Sequence, residues 1–152
     1  MLKGIHPLLT PELIGVLAAM GHGDDLAVVD ANFPATSTAM ETAHGRVLQL
    51  AGASVPEATA AILSLLPLDS FVEHPAVRME VEGAPDELPP VQQEIQAAVD
   101  AAEGRHLPLG ALGRHEFYAA ARRCYAVVQT TERRWWADVL LKKGAIAPRG
   151  AG

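Results

Sequence analysis

The sequence predicts one layered α/β domain, with a mostly parallel or mixed sheet covered by helices. Three observations carry this: apolar strand-like runs such as "LAVVDA" (26–31), amphipathic helical stretches between such runs, and cap or turn residues at most junctions. The chain has 152 residues, which suits a single domain over 1–146 followed by a glycine-rich tail at 147–152.

Thr10 followed by Pro11 marks a helix start: a hydroxyl N-cap, then a residue whose missing N–H costs nothing at the first position. Leu13, Ile14, Leu17 and Ala18 share one face, and Gly21 offers the stop. "LAVVDA" is near-continuously apolar, as in a strand covered on both sides, and "RVLQLAG" (46–52) is a second strand candidate. Ser54 and Glu57 form a capping box that opens a helix through Ala60, Ala61 and Leu65, stopped by Pro67. "AVRMEVEG" (76–83) alternates and predicts a strand with one wet face. After the loop "GAPDELPP", Val91, Ile95, Ala98, Val99 and Ala102 trace an amphipathic helix. "HEFYAAARRC" is helical by composition, and "YAVVQTT" (125–131) and "WWADVLL" (135–141) follow as strands.

Eighteen acids against twelve bases give a net charge of −6, which argues against a nucleic-acid partner. The single cysteine, Cys124, allows no internal disulfide and fits a reducing cytoplasm; it reads as a buried, inert thiol. The N-terminal apolar run is broken by Pro7, Pro11 and Glu12 and lacks a small-residue cleavage site, so neither a signal peptide nor a membrane span is expected. The six histidines lack H-x-x-x-H spacing and a cysteine pair, so no metal is expected, and no nucleotide motif implies a cofactor.

His22 in "GHGDD" precedes the strand at 26–31, and Asp30 stands near its exit. Residues 26–30 span about 13 Å at about 3.3 Å per residue, so the two side chains share a pocket only if the loop folds back. The flanking glycines permit that fold. A histidine so placed is a proton shuttle near neutral pH. The plainer alternative is a helix stop and turn in which His22 caps a backbone carbonyl. Arg114 and Tyr118, four apart, share a helix face: a fork for hydroxyls or a carboxylate, and a phenol that orients a proton. Alternatively Tyr118 packs in the core. In a strand, Trp136 and Asp138 face one side, where an aromatic plane beside a carboxylate suits carbohydrate. Trp135 faces the other side, toward core or a subunit interface.

"MLKGIHPLLTPEL", "MGHGDDLAVVDANFPA", "LLPLDSF", "EFYAAARRCYAVVQTTE" and "VLLKKGAI" together resemble the RbsD/FucU family, in its FucU branch of L-fucose mutarotases. The resemblance runs from Met1 to about Ile146. It implies an RbsD-like layered α/β fold and a cofactor-free isomerase that interconverts anomers of a free monosaccharide. It also implies a ring-shaped homo-oligomer, commonly a decamer, with sites near subunit contacts. By position it implies catalytic roles for His22 and Tyr118, and sugar contacts for Asp30, Arg114 and Asp69. The chain departs from the family where "TTE…WAD" replaces the usual "TGE…YGN" or "TGE…YAN". Trp136 and Asp138 there take the places of a sugar-contacting tyrosine and asparagine, which bears on which sugar is used. Other readings are a sugar-binding or transport-associated module without turnover, and a pyranase that exchanges pyranose and furanose forms.

Overall fold

Side chains of β1 (Asp25–Val29) alternate between two apolar cores: Leu26 and Val28 belong to one, Ala27 and Val29 to the other, and all four are fully buried. That double burial explains the continuous apolar run and sets the sheet as the middle of three layers. The computed structural model describes residues 2–148 and Gly150, so the tail proposed at 147–152 lies partly outside the described residues.

Helices α1 (Pro11–Ala19), α3 (Val55–Leu63) and α4 (Pro90–Glu103) pack on the larger core through Leu13, Ile62 and Ile95 among others. Helices α2 (Ala35–Ala39) and α5 (Arg114–Arg122) cover the opposite face through Ala35, Phe117 and Ala121. The remaining strands are β2 (Val47–Leu50), β3 (Ala76–Met79), β4 (Gly110–Leu112), β5 (Ala126–Thr130) and β6 (Val139–Lys142). Among the described residues the sheet has the order β2-β5-β1-β6-β3-β4. Its pairs are parallel except at β6, which runs antiparallel to both β1 and β3. Five strands therefore end at one edge, where β6 begins. Among the described residues no helix is long and apolar enough to cross a membrane.

The helix starts follow their cap chemistry. Thr10 accepts from the Leu13 N–H, and the Ser54–Glu57 capping box closes in both directions. Several boundaries differ from the sequence reading. The strand expected over 76–83 ends at Met79, and Arg78 on its expected wet face is buried, held by Gln92 Oε1 and the Pro85 carbonyl. The strand expected over 135–141 starts only at Val139, because Trp136 adopts a left-handed φ of 64° that breaks extended backbone. Trp135 is 74 % exposed and so is not a core residue. Two short elements, α2 and β4, were not anticipated. Cys124 is buried, and burial raises its thiol far above the range in which it would ionise.

Candidate functional site

A cavity of about 180 Å³ opens at the edge where the five parallel strands end, the usual ligand edge of an open α/β sheet. Asp30 enters it from the end of β1, Asp138 from the start of β6, and Arg114 and Tyr118 from the first turns of α5; Phe33 and Trp136 close its sides. The structure thus gathers five residues read separately from sequence, Asp30, Arg114, Tyr118, Trp136 and Asp138, into one cavity.

Local chemistry fixes each of them. Asp30 Oδ1 accepts from the N–H groups of Asn32 (2.8 Å) and Phe33 (2.9 Å), an aspartate turn that "DANFP" is built to make. This turn aims Phe33 at α5, where its ring meets Tyr118 edge-on at 5.3 Å and holds the phenol at the cavity wall. The Asp30 N–H in turn donates to Asp138 Oδ1 at 2.9 Å. Asp30 is 4 % and Asp138 3 % exposed. Burial, then the charge of Asp30, pushes the Asp138 carboxyl well above the usual carboxylate range. Burial also raises Asp30, against the pull of its two backbone N–H donors.

The strained Trp136 is secured from behind by Gln92, which sequence reasoning missed. Gln92 is fully buried, and its Nε2 donates to the carbonyls of Met79 and Trp136, each at 2.7 Å. A glutamine on the apolar stripe of a helix was the available signal. Arg114 divides its guanidinium between the cavity and Glu82, which its Nη2 reaches at 3.2 Å; its Nε is buried without a partner.

His22 lies elsewhere. The "GHGDD" loop does not fold back along the sheet. The Gly23 N–H donates to the Lys143 carbonyl and the Lys143 N–H to the Asp24 carbonyl, both at 2.8 Å, extending the β1–β6 ladder outward. Gly23, at φ 86°, supplies the turn this pairing requires. All of β1 therefore separates His22 from Asp30 and from the cavity, and Asp30 does not tune His22 within one chain. Asp69, also expected at the sugar, instead receives His22, with Nε2···Oδ1 at 3.0 Å. The imidazole thus caps a carboxylate and not a backbone carbonyl. The Phe71 N–H first, and His22 after it, hold the Asp69 carboxyl below the usual range. An ionised carboxylate only accepts, so Nε2 carries the hydrogen, and in the neutral imidazole Nδ1 is the nitrogen with the lone pair. His22 is half exposed and stacks at a tilt 5.5 Å from Phe71, itself 79 % exposed.

Comparison with known proteins bears on this arrangement. Residues 3–146 match the RbsD / FucU transport protein family. The chain is 38% identical over 152 residues to the fucose mutarotase of Bos taurus, covering 98% of this chain and 97% of the other. It is similar in fold to a crystal structure described as a candidate sugar binding protein, with a TM-score of 0.94, 46% identity and 97% of each chain covered. It is also similar to the fucose mutarotase of Streptococcus pneumoniae in complex with L-fucose, with a TM-score of 0.85 and 32% identity, covering 96% of this chain and 100% of that one.

Proposed function

The chain belongs to the RbsD/FucU family, and from that premise we propose that it is a cofactor-independent sugar mutarotase. It interconverts the anomers of free L-fucose or a related monosaccharide, as a cytoplasmic homo-oligomer. One observation carries the reading at residue level: Asp30, Arg114, Tyr118, Trp136 and Asp138 converge on one small cavity in a chain similar to fucose mutarotases over nearly its full length.

Mutarotation moves two protons. The anomeric hydroxyl loses one and becomes the aldehyde oxygen, the ring oxygen gains one as its bond to the anomeric carbon breaks, and the aldehyde turns before reclosing. Tyr118 protonates the ring oxygen and recovers the proton at reclosure. His22 takes the anomeric proton on Nδ1 and returns it to the turned aldehyde oxygen, with Asp69 stabilising the imidazolium through Nε2–H. Trp136 lies against the sugar's C–H face, and Asp30, Arg114 and Asp138 hold hydroxyls. Confining the open aldehyde beside its attacking hydroxyl adds an orientational gain.

Because β1 separates His22 from the cavity in one chain, the His22 that serves a cavity comes from a second copy. Each half presents an exposed aromatic that such a contact covers: Phe71 beside His22 and Trp135 at the cavity mouth. A contact joining one end of the sheet to the opposite end of the next copy is head-to-tail, the type that forms a ring where the rotation between copies closes. A ring-based decamer follows from the family resemblance.

Saturation-transfer NMR of anomer exchange, run over a panel of free sugars, tests the reading. His22→Ala and Tyr118→Phe are each expected to lose exchange on the best sugar; full exchange in His22→Ala contradicts the assignment. The separation of His22 from Tyr118 within one chain favours one competing reading, a binding module without turnover. Calorimetric sugar binding with no accelerated exchange by the native protein would establish that reading instead.

A further inference from the structure

The two buried acids of the cavity hold sugar hydroxyls in the proposed reaction, a role that leaves open how many protons they carry. Asp30 and Asp138 are joined through the Asp30 N–H, both line the same cavity, and among the described residues neither has a cationic partner. The one guanidinium lining the cavity, Arg114, is bonded to Glu82. Two adjacent carboxylates this deeply buried, with no cationic partner to offset the burial, do not both stay ionised. Their surroundings are unequal. Asp30 Oδ1 accepts two backbone N–H groups, whereas Asp138 accepts one, from Asp30 itself. The charge therefore settles on Asp30 and the proton on Asp138.

We propose that Asp30 and Asp138 hold one proton between them and that Asp138, carrying it, donates a hydrogen bond to a sugar hydroxyl, making it a specificity-determining residue of this cavity. A neutral aspartic acid has the shape of asparagine, with a donor where the amide nitrogen would be. The donor that an asparagine amide would supply at this position is thereby present as an O–H, but one that ionises. The pair also disfavours anionic sugars, such as sugar phosphates and uronic acids, whose charge would face Asp30.

The surrounding charges leave this assignment in place. Glu132, from the loop after β5, adds negative charge near Asp30 and is itself bonded to Arg134. Arg78 of β3 is bonded to Gln92 and Pro85, and Glu80 follows β3 toward the start of α5. Tyr118 and Arg114 reach the cavity from α5. None of these supplies either acid with a cationic partner.

The inference rests on the mutarotase reading for the ligand but not for the proton, and the experiment separates the two. Carbon-13 NMR of aspartate-labelled protein at neutral pH should show one neutral carboxyl signal, absent in Asp138→Asn and titrating at lower pH in Asp30→Asn, where the neighbouring charge is gone. If no aspartyl carboxyl is neutral at neutral pH in the native protein, or if the signal survives in Asp138→Asn, the proposal is overturned whatever the activity. Should Asp138→Asn not fold, the native spectrum and the Asp30→Asn shift still decide. L-fucose affinity supplies the second arm. Native affinity should decline as rising pH ionises Asp138, Asp138→Asn should show no such decline, and Asp138→Ala should lose about tenfold at neutral pH. Equal alkaline declines in native and Asp138→Asn would also overturn it. Native protein that shows the neutral carboxyl but binds no sugar refutes the mutarotase reading and leaves the shared proton standing.

Discussion

Gln92→Leu should loosen the cavity without touching it. Leucine keeps the size of the side chain and removes its polar atoms, leaving the Met79 and Trp136 carbonyls and one Arg78 nitrogen without their present partner. An orphaned buried group costs about 1–3 kcal/mol, with the low end fitting Arg78, which keeps the Pro85 carbonyl, and the partly buried Trp136 carbonyl. The total is about 3 kcal/mol, and at about 2–4 °C per kcal/mol for a domain of this size Tm falls by about 6–12 °C. Trp136 also loses the bond that secures its φ of 64°, so sugar affinity should fall with stability. Differential scanning calorimetry and titration with L-fucose read both. A Tm drop below about 2 °C with unchanged affinity would refute the clamp.

Other perturbations follow from the same geometry. His22→Ala should cost about 10²–10⁴-fold in anomer exchange, and Asp69→Asn about tenfold, because an amide does not enforce the Nε2–H tautomer; exchange NMR measures both. Arg134 bonds hold Glu132 at about 2, below the ordinary glutamate value of about 4.3. Its stabilisation is therefore present above that ordinary value and is lost as pH falls toward 2. Discounted for the half-exposed Arg134, it is worth about 2 kcal/mol, and denaturant unfolding of Glu132→Gln should lack that part of the acid decline. For Asp138 the sign reverses. Its raised folded value makes native stability relative to Asp138→Asn greatest at low pH and smaller as pH rises, which thermal unfolding against pH reads. Trp135→Ala should change protomer stability by no more than about 0.5 kcal/mol, yet weaken assembly seen by light scattering.

Much of the fold was legible because local chemistry and tertiary structure agree. The Thr10–Pro11 start, the Ser54–Glu57 box and the doubly buried β1 run each need little beyond neighbouring residues. The three-residue β4 and the five-residue α2 are too short to leave a period, and "WWADVLL" has strand composition over a backbone that turns at Trp136. The site was legible residue by residue but not as an arrangement. Whether "GHGDD" folds toward Asp30 depends on Gly23 and Asp24 pairing with Lys143, well over a hundred positions away. The Asp69 partner of His22 and the Gln92 support behind Trp136 are likewise long-range contacts.

The reach of His22 into a neighbouring copy is tested most directly by mixing two defective proteins. His22→Ala and Tyr118→Phe are each expected to be inactive alone. Co-assembled in equal amounts, they place an intact His22 from one copy against an intact Tyr118 of the next in about a quarter of contacts, so roughly that share of native exchange should return. If every mixed assembly stays as inactive as its parents, the imidazole and the phenol do not meet between copies, and the shared site is refuted.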